Sequence, residues 1–246
     1  EYSLSNDPSA HYRYSFESIA SSAKYQLDIA RESASRQEGN EKILSTAFAY
    51  CVEGLVDYEV GDFYKKQAEK MTDSDEKTNQ LADVQAKYLD AARNYRTALD
   101  MYEQNGLTDS DQYARAKNLY AQILADMKQP LESPAKIFKE VETYWLAREN
   151  YLNNMYAARF FHSYGTFLNG QSQRENAVAK LDGAYKILLK TVGENDGYAQ
   201  DIKKIAYGLR PKLSSSSSSM LAKPQQPVAV TEVKQAQEKA ASMTLN

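Results

Sequence analysis

An all-α fold is expected for this 246-residue chain, as an elongated bundle of about seven long antiparallel helices with an extended C-terminal tail. Two observations lead there. Apolar residues recur at spacings of three and four through most of the chain, and no stretch reads as a run of strands. The composition agrees, at 42% hydrophobic and 26% charged with only 10 Gly and 6 Pro.

Asp7-Pro8 opens the first helix, because Asp caps and a proline at the first helical position loses only an N–H that had no partner. Tyr12, Phe16, Ile19, Ala23, Leu27, Ala30 and Ala34 then mark one face, and Glu38-Gly39-Asn40 breaks the run. The second helix carries Leu44, Ala47, Cys51, Leu55 and Tyr58, with a jog expected at Gly61 and fraying near Met71. Thr72 to Asp75 forms a polar turn and cap. In the third helix Leu81, Val84, Tyr88, Ala91, Tyr95, Ala98 and Tyr102 hold an alternating three-four spacing, a seam suited to a neighbour at a shallow crossing angle. Asn105-Gly106 ends it.

A fourth helix follows Asp109, with Tyr113, Ala116, Tyr120, Ile123 and Met127, and stops before Pro130. Ser133-Pro134 starts a fifth that runs through Val141, Trp145, Leu152, Tyr156 and Tyr164 to Phe167, about 35 residues or roughly 50 Å. Ser172-Gln173-Arg174-Glu175 has the capping-box pattern for a sixth, with Gly193 as its C′ residue. The seventh runs from Asp196 through Tyr198, Ile202 and Ile205 until Pro211 stops it.

The helical body is expected over residues 1–213 and a Ser/Pro-rich tail over 214–246. Six serines from Ser214 cannot by themselves offset an ordering entropy on the order of 1–2 kcal/mol per residue. Order in that segment requires contact with the body or with a neighbouring chain. Pro224 to Pro227 favours extended backbone, and Thr231 to Met243 has the pattern of one weakly amphipathic helix.

Several functions are excluded by what is missing. A net charge of −3 with Lys and Arg interleaved among acids argues against nucleic acid as a partner. The longest apolar-leaning run, Ile43 to Val52, is too short for a membrane span, which needs about 20 residues. No phosphate loop, nucleophile elbow or zincin helix occurs, so no enzyme, no cofactor and no small-molecule substrate is expected. His11 and His162 lack companions at metal-ligand spacing, so no metal site is expected. Cys51 sits on an apolar stripe as a small hydrophobe, and Glu140 with Glu142, like Asp109 with Asp111, point to different helix faces.

"EGLVDYEVGDFYKK", Glu53 to Lys66, resembles the turn of a tetratricopeptide repeat, in which a Gly, an aromatic and a Gly-Asp-aromatic sequence join two helices. The stretch from Phe161 to Leu188 is similar in another way, with Phe161, Gly165, Leu168, Ala177, Leu181 and Ala184 at the repeat's large-small-large and Ala-aromatic-Ala spacings. Lys66 and Lys70 depart from the pattern, and the stretches are not a multiple of 34 residues apart. The resemblance implies helix pairs that present a protein-binding groove, hence a soluble adaptor for a partner peptide or protein.

Nineteen tyrosines against seven phenylalanines and one tryptophan is a bias toward rings with a polar end. Tyr88, Tyr95 and Tyr102 fit the third-helix seam. Tyr14, Tyr25, Tyr64 and Tyr151 fall off the apolar stripes and are the candidate interface residues, because tyrosine is enriched where proteins meet.

Long helices, absent catalytic chemistry and surplus tyrosine together resemble, in general character over the whole chain, the helical flagellar-coiling proteins in the sheath of spirochaete periplasmic filaments. That resemblance implies a non-catalytic subunit of a large assembly, packing laterally on a filament core and helping to set its curvature. Its partners would be other protein subunits and its compartment periplasmic. The adaptor reading is compatible with the cytoplasm, and a single cysteine suits either.

Overall fold

In the computed structural model, residues 8–210 are described, with side chains from residue 20 onward. The division expected at residue 213 and the tail lie outside the described residues, as do the side chains of His11 and Tyr14. The described chain is all-α: α1 (Pro8–Ser35), α2 (Gly39–Ala68), α3 (Ser74–Gln104), α4 (Asp111–Asp126), α5 (Pro134–Leu146), a 3₁₀ turn (Tyr151–Asn153), α6 (Met155–Gly170), α7 (Arg174–Thr191) and α8 (Gly197–Leu209).

Local chemistry places most of the boundaries. Asp73 caps α3 by accepting from Asp75 N and Glu76 N, Ser110 caps α4 by accepting from Tyr113 N, and Asp196 caps α8 by accepting from Ala199 N at 3.0 Å. Gly106, at φ 69°, ends α3 with Leu107 N bonded to Tyr102 O at 2.9 Å, and Gly193, at φ 88°, follows α7.

Three boundaries differ from expectation. The long fifth helix is two helices. Arg148 and Glu149 occupy the turn where the apolar seam lapses, and Arg148 reaches back to Asp109. Asn154 then caps α6, accepting from Tyr156 N at 2.8 Å while donating to Asp111 Oδ2 at 2.7 Å. These bonds replace the missing helical ladder. Second, Glu53–Lys66 contains no turn and runs inside the single 30-residue α2, so this stretch does not form the repeat-like turn. Gly61 marks close packing rather than a jog: a Cβ there would meet Tyr88 Cε1 at 2.7 Å. Third, Ser172 is not an N-cap. It sits at φ 59° as the C′ residue of α6, with Gln173 N bonded to Leu168 O at 2.9 Å and Ser172 N to Asn169 O at 3.0 Å.

The α2–α3 pair is a heptad zipper of small against large. On α3, Tyr88, Tyr95 and Tyr102 recur every seven residues and are all buried. On α2 the buried small residues Ala47, Gly54, Gly61 and Ala68 recur at the same interval. Gly54 faces Tyr95 and Gly61 faces Tyr88, which sets an antiparallel register with Ala47 level with Tyr102. Phe161–Leu188, the other repeat-like stretch, does form an antiparallel pair, α6 with α7. There Gly165 lies where a Cβ would meet Leu181 Cγ at 2.8 Å.

The surplus of tyrosine has a structural explanation. Five half-buried or buried rings donate their hydroxyls to carboxylates on another element or turn: Tyr88 to Asp62 at 2.9 Å, Tyr58 to Asp126 at 2.7 Å, Tyr113 to Glu103 at 2.9 Å, Tyr120 to Glu132 at 3.0 Å and Tyr144 to Asp111 at 2.8 Å. Each ring fills core volume and its hydroxyl ties its helix to another element or turn. Burial and the adjoining Asp111 push the Tyr144 hydroxyl up to about 12, so these groups stay protonated donors.

Contacts that skip one helix define the layering. Tyr58 and Lys65 of α2 reach Asp126 at the end of α4, α4 packs on α6, and Tyr198 of α8 meets His162 of α6. On the other side Lys180 of α7 pairs with Glu142 of α5. The even-numbered helices α2, α4, α6 and α8 thus share one layer, with grooves between them.

Candidate functional site

Two of the residues singled out as an interface pack against the core. Tyr64 is half-buried against it, beside Phe63, and Tyr151 is half-buried with its ring 6.2 Å from Phe161. Tyr25 is 65% exposed on α1. These three residues lie on three different elements, α1, α2 and the 3₁₀ turn.

The structure instead gathers a polar cleft between α4 and α6, closed by Trp145 of α5 and Tyr198 of α8, with a volume of about 360 Å³. Helical periodicity builds it. On α4, Arg115, Asn118 and Gln122 stand at i, i+3 and i+7; on α6, Tyr156, Arg159 and Ser163 repeat that spacing. The two stripes face one another across the cleft.

Arg115 lies over the Tyr156 ring, its Cζ 4.9 Å from the centroid, a cation–π contact. His162 pairs its Nδ1 with the Tyr198 hydroxyl at 3.0 Å, ring on edge to ring at 79°. Burial lowers the His162 pKa from its usual 6.5, because the imidazolium is poorly solvated there. The same burial raises the Tyr198 hydroxyl, against the opposing pull of Arg159.

Two polar atoms in the cleft wall are buried without a hydrogen-bond partner among the described residues. They are Trp145 Nε1, a donor, and Asn118 Oδ1, an acceptor. Both side chains are almost fully buried, at 1% and 5% exposure. Both atoms lie behind the accessible surface of the cleft, and an unpaired buried polar atom costs about 1–3 kcal/mol.

The cleft is the middle of a longer groove. Toward α2 and α3 it shares Leu55, Arg115 and Leu119 with an apolar slot of about 90 Å³ bordered by Phe48, Cys51 and Val52. In the other direction it shares Gln122, His162 and Ser163 with a wider depression of about 460 Å³ that reaches Thr166 and Gln171. Burial pushes the Cys51 thiol up to about 12, with Arg115 pulling the opposite way, so it presents an inert thiol to the slot. Among the described residues no group of His, Cys, Asp and Glu is placed to hold a metal ion, and no helix is long and apolar enough to cross a membrane.

Of the carboxylates paired in sequence, three tie helices together, Glu140 to Lys117 at 2.6 Å, Glu142 to Lys180, and Asp111 by accepting from Tyr144 and Asn154, while Asp109 is exposed and meets Arg148. Sequence reasoning passed over Arg115, Asn118 and Arg159. The available signal was the matched polar stripe on two helices, which becomes meaningful once α4 and α6 are known to be neighbours.

No family model matches the chain, and no curated protein matches it. A similar solved structure is the crystal structure of BtubC (BKLC) from P. vanneervenii, at 19% identity, covering 85% of this chain and 99% of that one, with a TM-score of 0.40. Similarity at that level is no basis for a shared function.

Proposed function

We propose that this chain is a non-catalytic protein-binding module, and that the groove running along α2, α4 and α6 takes an extended segment of a partner protein. The observation that carries this reading is the groove of joined depressions, whose walls present polar groups from two facing helix stripes, Arg115 and Gln122 of α4 with Arg159 and Ser163 of α6. An extended backbone offers a carbonyl or an N–H to such groups at every residue. The groove's polar middle and apolar end suit a chain segment better than a compact metabolite, because its parts are joined end to end rather than enclosed.

Random-peptide display on the full-length chain tests this. Enriched peptides should lose binding to Ser163→Phe, which fills the junction between cleft and depression, in protein whose circular dichroism is unchanged. No enrichment, or equal binding to the filled variant, overturns the reading.

A second reading, a structural subunit packing laterally in an assembly such as a filament sheath, draws on exposed apolar residues near the start of the described chain. Tyr25 and Ile29 of α1 are 65% and 47% exposed, and Phe48 of α2 is 59% exposed. Light scattering of the full-length chain across concentration tests it, with growth expected for an assembly subunit and constant monomer mass against it.

A further inference from the structure

The described arginines divide sharply. Arg31, Arg36, Arg93, Arg96, Arg148 and Arg210 each lie against a carboxylate, and Arg174 donates to the carbonyls of Leu209 and Gly208. Arg115 and Arg159 alone, among the described residues with side chains, have neither. Both line the same cleft, one from α4 and one from α6, and no Asp or Glu lines it with them.

In a chain of net charge −3, with 33 acidic residues to pair with, two arginines that line one cleft without an acid partner, Arg115 half-buried and Arg159 exposed at its rim, form a local positive site. His162 beside them is held neutral by burial, so the positive charge is that of the guanidiniums.

We infer that the partner segment carries an internal acidic side chain, received between Arg115 and Arg159, next to an apolar side chain seated in the slot at Phe48 and Leu55. This deepens, and rests on, the protein-binding reading above. Three observations specify it. Half-buried Arg115 stands at the cleft wall with its Cζ 4.9 Å from the Tyr156 ring centroid, and a guanidinium there meets a carboxylate with charge-assisted bonds. The apolar slot begins at Arg115 itself, so the two subsites adjoin. Because the groove continues past the cleft in both directions, the segment passes through, and the acid is a side chain rather than a chain terminus.

The chain has a single tryptophan, Trp145, which lines the cleft, so its emission reports occupancy directly. Peptides enriched on the full-length chain are synthesised with amidated C-termini, each paired with a version in which the internal Glu or Asp becomes Gln or Asn. Titration of Trp145 emission should show the acidic member binding roughly tenfold or more tightly, the size of effect expected when a hydrogen-bonded ion pair loses its charge. Arg115→Gln and Arg159→Gln should each remove that preference, whereas Lys186→Gln, outside the groove, should leave it intact. Added salt should narrow the gap.

Equal binding of the acidic and amide peptides, with the Ser163→Phe block still effective, overturns the inference and leaves the protein-binding reading standing. No peptide binding at all overturns both. Binding that requires a free C-terminal carboxylate overturns the internal assignment. If inorganic phosphate alone shifts Trp145 emission with the same dependence on both arginines, the site is one for small anions and the inference fails.

Discussion

The Tyr88 ring lies against Gly61, and a Cβ on that glycine would stand 2.7 Å from Tyr88 Cε1 and 2.8 Å from Cδ1. The hydroxyl of the same tyrosine donates to Asp62, the next residue of α2, at 2.9 Å. One side chain therefore sets both how close α2 and α3 come and how they are aligned along their axes.

Gly61→Ala should accordingly destabilise the protein by about 1–3 kcal/mol, the usual cost of overpacking a filled core. Gly183→Ala on α7 meets only ordinary contacts with Phe161, at 3.9 Å and beyond. There the gain in helix propensity should stabilise by roughly 0.5–1 kcal/mol. Urea unfolding of both variants checks the opposite signs, and a stable Gly61→Ala protein would refute the close packing of α2 on α3.

Asp57, 2% exposed in the middle of α2, accepts from Lys24 of α1 at 3.0 Å and from Lys87 and Asn94 of α3 at 3.2 and 3.3 Å. It is one of few ties on α1, whose described buried residues are Leu27 and Ala34. Asp57→Ala should cost about 1.5–3 kcal/mol, the range for hydrogen bonds to a charged group. Amide exchange should quicken most in α1, and uniform quickening across all helices would show that the tie is not local.

His162 contributes a pH dependence of definite sign. Its folded pKa lies below the usual 6.5, so the unfolded chain takes up the proton first as pH falls. Its contribution to stability is fully present above 6.5 and is lost as pH falls from there through the folded value. The urea midpoint should drop between about pH 7.5 and about pH 5.5 in the native protein and drop less in His162→Gln. An equal drop in both would assign the effect elsewhere.

With its thiol pushed up to about 12, Cys51 holds almost no thiolate near neutral pH. Iodoacetamide should label it slowly in the folded chain and rapidly in urea. Folded-state labelling as fast as that of a free thiol would place it in a more open setting.

Much of the architecture was legible because helix ends are written locally. Asp73, Asp196, Gly106 and Gly193 act on backbone groups within a few residues, and the heptad of tyrosines on α3 announces a close antiparallel neighbour. The break between α5 and α6 was not legible, because it depends on Arg148 meeting Asp109 and on Asn154 meeting Asp111, pairs about forty residues apart with no glycine or proline between α5 and α6 to signal them. Gly61 shows the same limit: inside a long helix a glycine signals weakness until its partner is known. The tyrosines signalled rings with a polar end, yet whether that end meets water, a partner or a carboxylate depends on which helix lies opposite. So too with Arg115 and Arg159. Interleaved charge predicts paired arginines, and only the packing of α4 on α6 leaves these two facing a cleft without an acid. Caps and periodicity act over one or two turns of chain, so one dimension suffices to read them, whereas the groove exists only where distant segments meet.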